Sequence, residues 1–171
     1  MEHKCNHNFM KHICFLSIGS NLGDRLLNIH AVISRLSSSF HIVDTSSFYH
    51  AESWGYKDDD YINCVLKMET TLSPFVLLQE LINIEKQMGR IEKTTTQYQA
   101  RRIDLDILFY DNQIIDLDIL KVPHPKLYYR NFVLVPFNQI APNFQCPVTK
   151  KNISQLLSEC SDESKISIYT H

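Results

Sequence analysis

Two carboxylates, Asp104 and Asp106, stand one residue apart in RRIDLDILFY, directly behind a pair of arginines. Side chains alternate along a strand, so Asp104, Asp106, Leu108 and Tyr110 would share one face and Ile103, Leu105, Ile107 and Phe109 the other. The second set is wholly apolar and anchors the strand. The aspartates would then project together from the opposite face, about 7 Å apart. Like charges held that close repel, and a hard divalent cation relieves the repulsion. Mg²⁺ is usually held by one or two carboxylates plus phosphate oxygens. A solvated strand face with arginine counter-charges would show the same pattern, so these residues alone leave both readings open. The pentapeptide DLDIL recurs at Asp116 to Leu120, where no arginine precedes it and Lys121-Val122-Pro123 turns the chain. That copy reads as solvated turn residues.

Cationic groups surround the first copy in sequence: Arg90 after a predicted helix, Arg101 and Arg102 upstream, and His124 and Arg130 in VPHPKLYYR. Guanidinium forks match phosphate oxygens, so their convergence on a carboxylate pair would suit a metal-bearing nucleotide polyphosphate. Each arginine taken singly is an ordinary surface residue. The chain has only four glycines, Gly19, Gly23, Gly55 and Gly89, and neither GxxxxGK[ST] nor GxGxxG can be assembled from them. A P-loop kinase, a protein kinase or a Rossmann enzyme is disfavoured, and side chains must hold any phosphate. Tyr61, Asn63 and Phe132 could form an aromatic slot with an amide for a flat heterocycle, or serve as core aromatics beside a satisfied strand amide. Ser20 and Asn21 read as caps of the first helix.

The elements that must position these groups follow from periodicity. Ile13 to Ile18 reads as a buried strand ending at Gly19-Ser20-Asn21, and Leu22, Leu26, Ile29, Ile33 and Leu36 form one helical stripe. HIVDTSSFY is a second strand and AESWGYKDDD a loop. YINCVLKMET alternates, with Ile62, Cys64, Leu66 and Met68 toward the core and Tyr61 and Asn63 together on the other face. Ser73-Pro74 opens a helix whose buried stripe is Leu77, Leu81, Ile84 and Met88, and Gly89 ends it. The threonine-rich link IEKTTTQYQA reads as mobile. After RIDLDILFY come the turn pair Asp111-Asn112, a short apolar run, the proline-punctuated VPHPKLYYRNFVLVPFNQIAP, and a short helix around Ile153 to Cys160. The order β-α-β-β-α-β predicts an α+β sandwich of the ferredoxin-like kind, with helices packed on a mainly antiparallel sheet. Residues 13–160 read as a single domain between a flexible tail, 1–12, and a C-terminal tail, 161–171.

With 171 residues, the chain can bury about 70% of the surface its unfolded form exposes. The formal charge of −2 gives no bulk attraction to nucleic acid or anionic membrane. No stretch reaches a membrane-spanning length or a signal-peptide core. Five scattered cysteines without a CxxC pair read as reduced thiols, which predicts a cytoplasmic protein.

Taken in order, FLSIGSNLGD, SSFYHAESWGYKDDDYINCV, IEKQMGR, RRIDLDILFY and VPHPKLYYRNFVLVPFNQIAP resemble the 6-hydroxymethyl-7,8-dihydropterin pyrophosphokinases of folate biosynthesis, over about residues 13 to 160. The resemblance implies transfer of the β,γ-diphosphate of ATP to the hydroxymethyl oxygen of the pterin, releasing AMP. It also implies two Mg²⁺ ions at Asp104 and Asp106. The catalytic residues would be Arg90, Arg101, Asp104 and Asp106, and the phosphates would be bound by Arg90, Arg101, His124 and Arg130. Glu85 and Ile107 would be further nucleotide contacts. The pterin would lie between Tyr61 and Phe132 with Asn63 at its polar edge, and the link at 91–100 would be a lid. A monomer acting on these small molecules is expected, without nucleic acid or membrane. The chain departs from many members at Tyr98-Gln99-Ala100, where they carry W-G-P before the arginine, and at Glu92 and Ile119, where some carry arginines. A metal-dependent nucleotide phosphohydrolase and a non-catalytic ferredoxin-like binding module that senses a small ligand remain alternatives; the feature separating the pyrophosphokinase from them is the Tyr61/Asn63/Phe132 slot, which a hydrolase would not need.

Overall fold

The computed structural model describes residues 10–51, 60–89 and 100–170. The chain runs β1 (His12–Ser20), α1 (Arg25–Ser39), β2 (His41–Thr45), β3 (Tyr49–Ala51), β4 (Tyr61–Thr70), α2 (Pro74–Gln87) and β5 (Asp104–Tyr110). A hairpin of β6 (Ile115–Leu117) and β7 (Leu120–Val122) follows, then α3 (Asn131–Ile140), α4 (Ile153–Ser158) and β8 (Ile166–Ile168). The main sheet is ordered β5-β1-β4-β3-β8, with β2 also paired to β4. Every pairing in it is antiparallel. Strand β1 lies between β4 and β5, with β2 and β3 in succession along the far edge of β4. This is the ferredoxin-like arrangement predicted from the element order.

Both faces of the sheet are covered. Leu16, Ile18, Ile62, Cys64, Leu66 and Met68 meet Ile29, Val32 and Leu36 of α1 and Leu77, Leu81 and Ile84 of α2. On the other face Phe15, Val65 and Phe109 meet Val133, Leu134 and Phe137 of α3 and Ile153 and Leu156 of α4. Each such side chain contributes roughly 1.5–3 kcal/mol when fully buried, and the alternation in β4 places its two sets on these two cores.

Several local expectations change. First, β5 does not alternate throughout. Phe15 pairs with Phe109 and Leu16 with Ile107, so Leu108 is an extra residue, a β-bulge. Beyond it the faces swap, and Tyr110 joins Ile103, Leu105 and Ile107 while Phe109 joins the opposite core. The aspartates lie before the bulge and keep their predicted face. Second, α1 is capped by Asp24, whose Oδ1 accepts from the Leu27 N–H at 3.0 Å, not by Ser20 or Asn21. Gly23, at φ 70°, turns the chain into it, and Leu22 is left 41% exposed outside the helix. Third, residues 161–170 are not a loose tail. Strand β8 extends the sheet by pairing with β3, and Asp162 Oδ2 accepts from the Asn131 N–H at 2.8 Å at the start of α3.

Helix α2 follows its sequence signals closely. Ser73 caps it, Pro74 occupies its first turn, and Gly89 at φ 92° ends it. Helix α3 had no helical expectation, because Pro136 interrupts the segment, yet the proline is accommodated and buried inside it.

Candidate active site

Three adjacent strands place the principal groups in one row. Gly19 on β1 is opposite Asn63 on β4 and opposite Asp104 on β5. Two strand spacings separate the amide from the carboxylate, about 10 Å. Asn63 and the aspartates face the side of the sheet covered by α3, since Val65 and Phe15 of the same faces pack there. Gly19 leaves the floor between them bare: a Cβ at this position would stand 2.8 Å from Asn63 Oδ1 and 3.5 Å from Tyr61 Cδ1.

At the β5 end, Asp104 Oδ1 is paired with Arg101 Nη1. Asp106 Oδ2 lies 3.8 Å from His124 Nε2. His124 is held by its own main-chain N–H, which donates to Leu108 O at 3.0 Å, and its Nδ1 accepts from the Lys126 N–H at 3.3 Å. That contact assigns the proton of the neutral ring to Nε2, the atom turned toward Asp106. Burial first, then the charges of Arg130 and Lys126, lower the His124 pKa to about 4 against a weaker pull from Asp104. The ring is neutral at physiological pH. Asp106 is pushed the other way, up to about 6, by burial first and then by Asp104 and Glu85, with Arg130 and Arg101 opposing. Arg130 sits at the N-cap of α3 with its Cζ 5.3 Å from the ring centroid of Phe132, a cation–π approach that holds the guanidinium beside the aromatic.

The remaining sequence candidates divide. Glu85 is only 1% exposed, and its Oε1 accepts from the Leu105 N–H at 2.8 Å. Its visible role is to hold the start of β5 rather than to present a carboxylate to solvent. Ile107 points into the α1/α2 core and is 4% exposed, so its side chain is on the face opposite the aspartates; any ligand contact there would be through main chain. Arg90, Glu92, Tyr98 and Gln99, and with them most of the proposed lid, lie outside the described residues. Ile119 is 72% exposed at the β6–β7 turn. In the same hairpin the second DLDIL copy shows its nature: the Asp116 side chain is 78% exposed and pairs with Lys121. Sequence reasoning missed Gly19, Ser20 and Asn21 as site residues, because nothing in the local pattern says that β1 will lie between β4 and β5.

The donor set fits Mg²⁺. Two carboxylates share a face, one of them resisting ionisation beside the other, and cationic groups flank them. Among the described residues no three His, Cys, Asp or Glu side chains gather closely enough to bind a metal by themselves, so an ion here would need phosphate or water to complete its shell. A second group awaits a partner: the Asn63 side chain is 2% exposed, and its Nδ2 has no hydrogen-bond partner among the described residues. Leaving a buried donor unsatisfied costs about 1–3 kcal/mol, a cost that a ligand acceptor would remove.

A family model described as 7,8-dihydro-6-hydroxymethylpterin-pyrophosphokinase (HPPK) matches residues 15–142. The chain belongs to this family. As a member it is a pyrophosphokinase, an enzyme that transfers diphosphate. It is 38% identical over 157 residues to the 2-amino-4-hydroxy-6-hydroxymethyldihydropteridine pyrophosphokinase of Haemophilus influenzae, across 90% of this chain and 96% of that protein. To the folic acid synthesis protein FOL1 of Dictyostelium discoideum it is 41% identical over 143 residues, 83% of this chain but 22% of that protein. Among solved structures, wild-type Plasmodium falciparum HPPK-DHPS aligns with a TM-score of 0.71 at 15% identity, over 90% of this chain and 42% of that one. At that identity the likeness shows the fold, and the chain spans less than half the length of that structure's polypeptide.

Proposed function

We propose that the protein transfers the β,γ-diphosphate of ATP to the hydroxymethyl oxygen of 6-hydroxymethyl-7,8-dihydropterin, with AMP leaving. Asn63 carries this reading: a buried amide donor without a partner among the described residues, about 10 Å from a carboxylate pair across a bare glycine, is fitted to a flat polar ring whose substituent reaches the metal site. Tyr61 and Phe132 would hold the ring faces. Asp104 and Asp106 would hold two Mg²⁺ ions, which when bound supply charge neutralisation on the transferring phosphates.

The protein's own contribution is chiefly orientation and electrostatics. The hydroxyl oxygen forms a bond to the β-phosphorus as the bond from that phosphorus to the bridging oxygen of AMP breaks. The hydroxyl proton is released, and no side chain is assigned as its base. Arg101 and Arg130, with Arg90, would bear on the phosphates. Neutral His124 would donate through Nε2 without adding charge. We further place the protein in the cytoplasm as a monomer; the described thiols Cys14, Cys64, Cys146 and Cys160 are all free, as a reducing compartment would leave them, and among the described residues no helix is long and apolar enough to cross a membrane.

The test is to supply ATP, Mg²⁺ and the hydroxymethyl dihydropterin and identify the nucleotide released. AMP formed only with pterin is expected; ADP, or AMP formed without pterin, would overturn the reading. Asp104→Ala should abolish Mg²⁺-dependent turnover, whereas Asp116→Ala should leave it within about twofold, because an exposed ion pair of that kind contributes little. Equal losses would remove the distinction between the two DLDIL copies.

A further inference from the structure

Ser20 and Asn21 are buried polar residues, 0% and 1% exposed, at the exit of β1, where a helix cap would have left them near the surface. Their partners lie 80 residues and more away in sequence, on the main chain just before β5. The Arg101 N–H donates to Asn21 Oδ1 at 2.7 Å, and the Asn21 N–H donates to Arg101 O at 3.1 Å. Ser20 Oγ donates to Arg102 O at 2.6 Å. Asn28 of α1 in turn donates through Nδ2 to Ser20 Oγ at 3.2 Å and to Leu22 O at 2.9 Å, tying the β1 exit to the helix. Three main-chain groups on two consecutive residues, the N–H and C=O of Arg101 and the C=O of Arg102, are thereby fixed from one short loop. The side chain carried by that main chain is the one paired with Asp104.

We propose that Asn21, braced by Ser20, is a positioning residue for Arg101: it sets the direction from which the guanidinium meets Asp104 and any phosphate bound there. Asparagine suits the post because its oxygen accepts the Arg101 N–H while adding no negative charge to those of Asp104, Asp106 and Glu85. Displacement of a charged group by about 1 Å can cost roughly a hundredfold in rate, and the main-chain bracket at Asn21 and Ser20 opposes such a shift of Arg101 from the β1 side. The inference rests on the diphosphotransfer reading for its kinetic readout, and its core is the coupling between two residues.

The experiment is a double-mutant cycle in the full chain, with Asn21→Ala, Arg101→Ala and the double variant assayed for kcat and for the KM of each substrate. Asn21→Ala should lower kcat about a hundredfold with the KM for pterin changed less than about twofold, since the Asn63 slot on β4 is untouched. In the Arg101→Ala background the same substitution should cost less than about threefold, because its target is already gone. Full additivity, a loss confined to the KM for pterin, or an unimpaired Asn21→Ala would each overturn the proposal. Should Asn21→Ala melt below the assay temperature, Ser20→Ala, which removes one bond of the bracket, carries the same cycle with a smaller expected loss, and additivity there overturns it equally. Absence of diphosphate transfer by the parent protein would defeat the function proposed above; transfer by the parent with additive variants would defeat only the role of Asn21.

Discussion

Gly19 shows how one missing side chain can decide a site. Its register places it between Asn63 and Asp104, and an added Cβ would enter the contact shell of Asn63 Oδ1. Gly19→Ala must displace that amide, and overpacking of this kind costs about 1–3 kcal/mol. The expected result is a rise of roughly 5- to 150-fold in the KM for pterin with the KM for ATP unchanged, read from initial-rate kinetics. Asp106 gives a prediction of opposite sense, for stability. In the fold it takes up a proton near pH 6, and in the unfolded chain near pH 3.9. Its contribution is therefore favourable in acid and is lost as pH rises through about 6, above which the charged carboxylate burdens the metal-free fold. Asp106→Asn should melt about 2–4 °C above the parent at pH 7.5 in the presence of a chelator. That gain corresponds to about 1 kcal/mol, a discounted figure because the side chain is 36% exposed and screened. Below about pH 3.9, the unfolded value, the difference should close; a gain that persists there would show that charge is not its source. The neutral state of His124 has the reverse sign: it favours the fold above about pH 6.5, the unfolded value, and that support is lost as pH falls toward 4.

At the scale of elements, α3 is the one that carries Arg130 and Phe132 to the site, and its cap comes from elsewhere. Arg130 at the N-cap offers no side-chain hydrogen bond to the helix. Asp162 supplies it instead, accepting from the Asn131 N–H and, through its other oxygen, from the Ser164 N–H at 3.0 Å. A carboxylate there also complements the positive end of the helix. Asp162→Ala should cost about 0.5–2 kcal/mol in denaturant unfolding and loosen ATP more than pterin, because Arg130 stands at the freed end. The bulge at Leu108 acts at the same scale. It lets Phe109 fill the α3 core and Tyr110 the α1/α2 core, with Tyr110 Oη donating to Leu72 O at 2.6 Å, while the aspartates upstream stay on the face of the candidate site.

For the molecule as a whole, two buried cores enclose the sheet and hold thiols out of reach. Burial raises the Cys64 pKa to about 12 and that of Cys14 further. An unfolded thiol ionises near 8.5, so between that value and 12 the unfolded chain releases a proton that the folded chain keeps. Stability should fall as pH is raised through this window, and a melting series from pH 7.5 to 10 would show it. Under native conditions Cys160, half-buried, should react with an alkylating reagent well before Cys14, Cys64 and Cys146.

Periodicity and punctuation were enough to read β1, β4 and α2, because a two-residue or 3.6-residue repeat and a Ser-Pro opening are local properties. The ferredoxin-like class followed from their order. The carboxylate pair was legible as well, since charge alternating with aliphatics is written in the sequence itself, and so was the placing of Tyr61 and Asn63 on one face of β4, both beside Gly19. Other features required the chain to be folded. Pro136 hid α3, whose stability comes from the Val133, Leu134 and Phe137 contacts rather than from propensity. The bulge in β5 arose only against its partner strand. Ser20 and Asn21 looked like caps because a cap is a local possibility, whereas their actual partners lie across the sheet. Sequence by itself determined which side chains could bind a metal, a phosphate or a flat ring. Tertiary structure decided that Asn63, Gly19 and Asp104 stand in one row, and that Arg101 is braced by Asn21, because strand order and register are set by contacts between residues far apart in the chain.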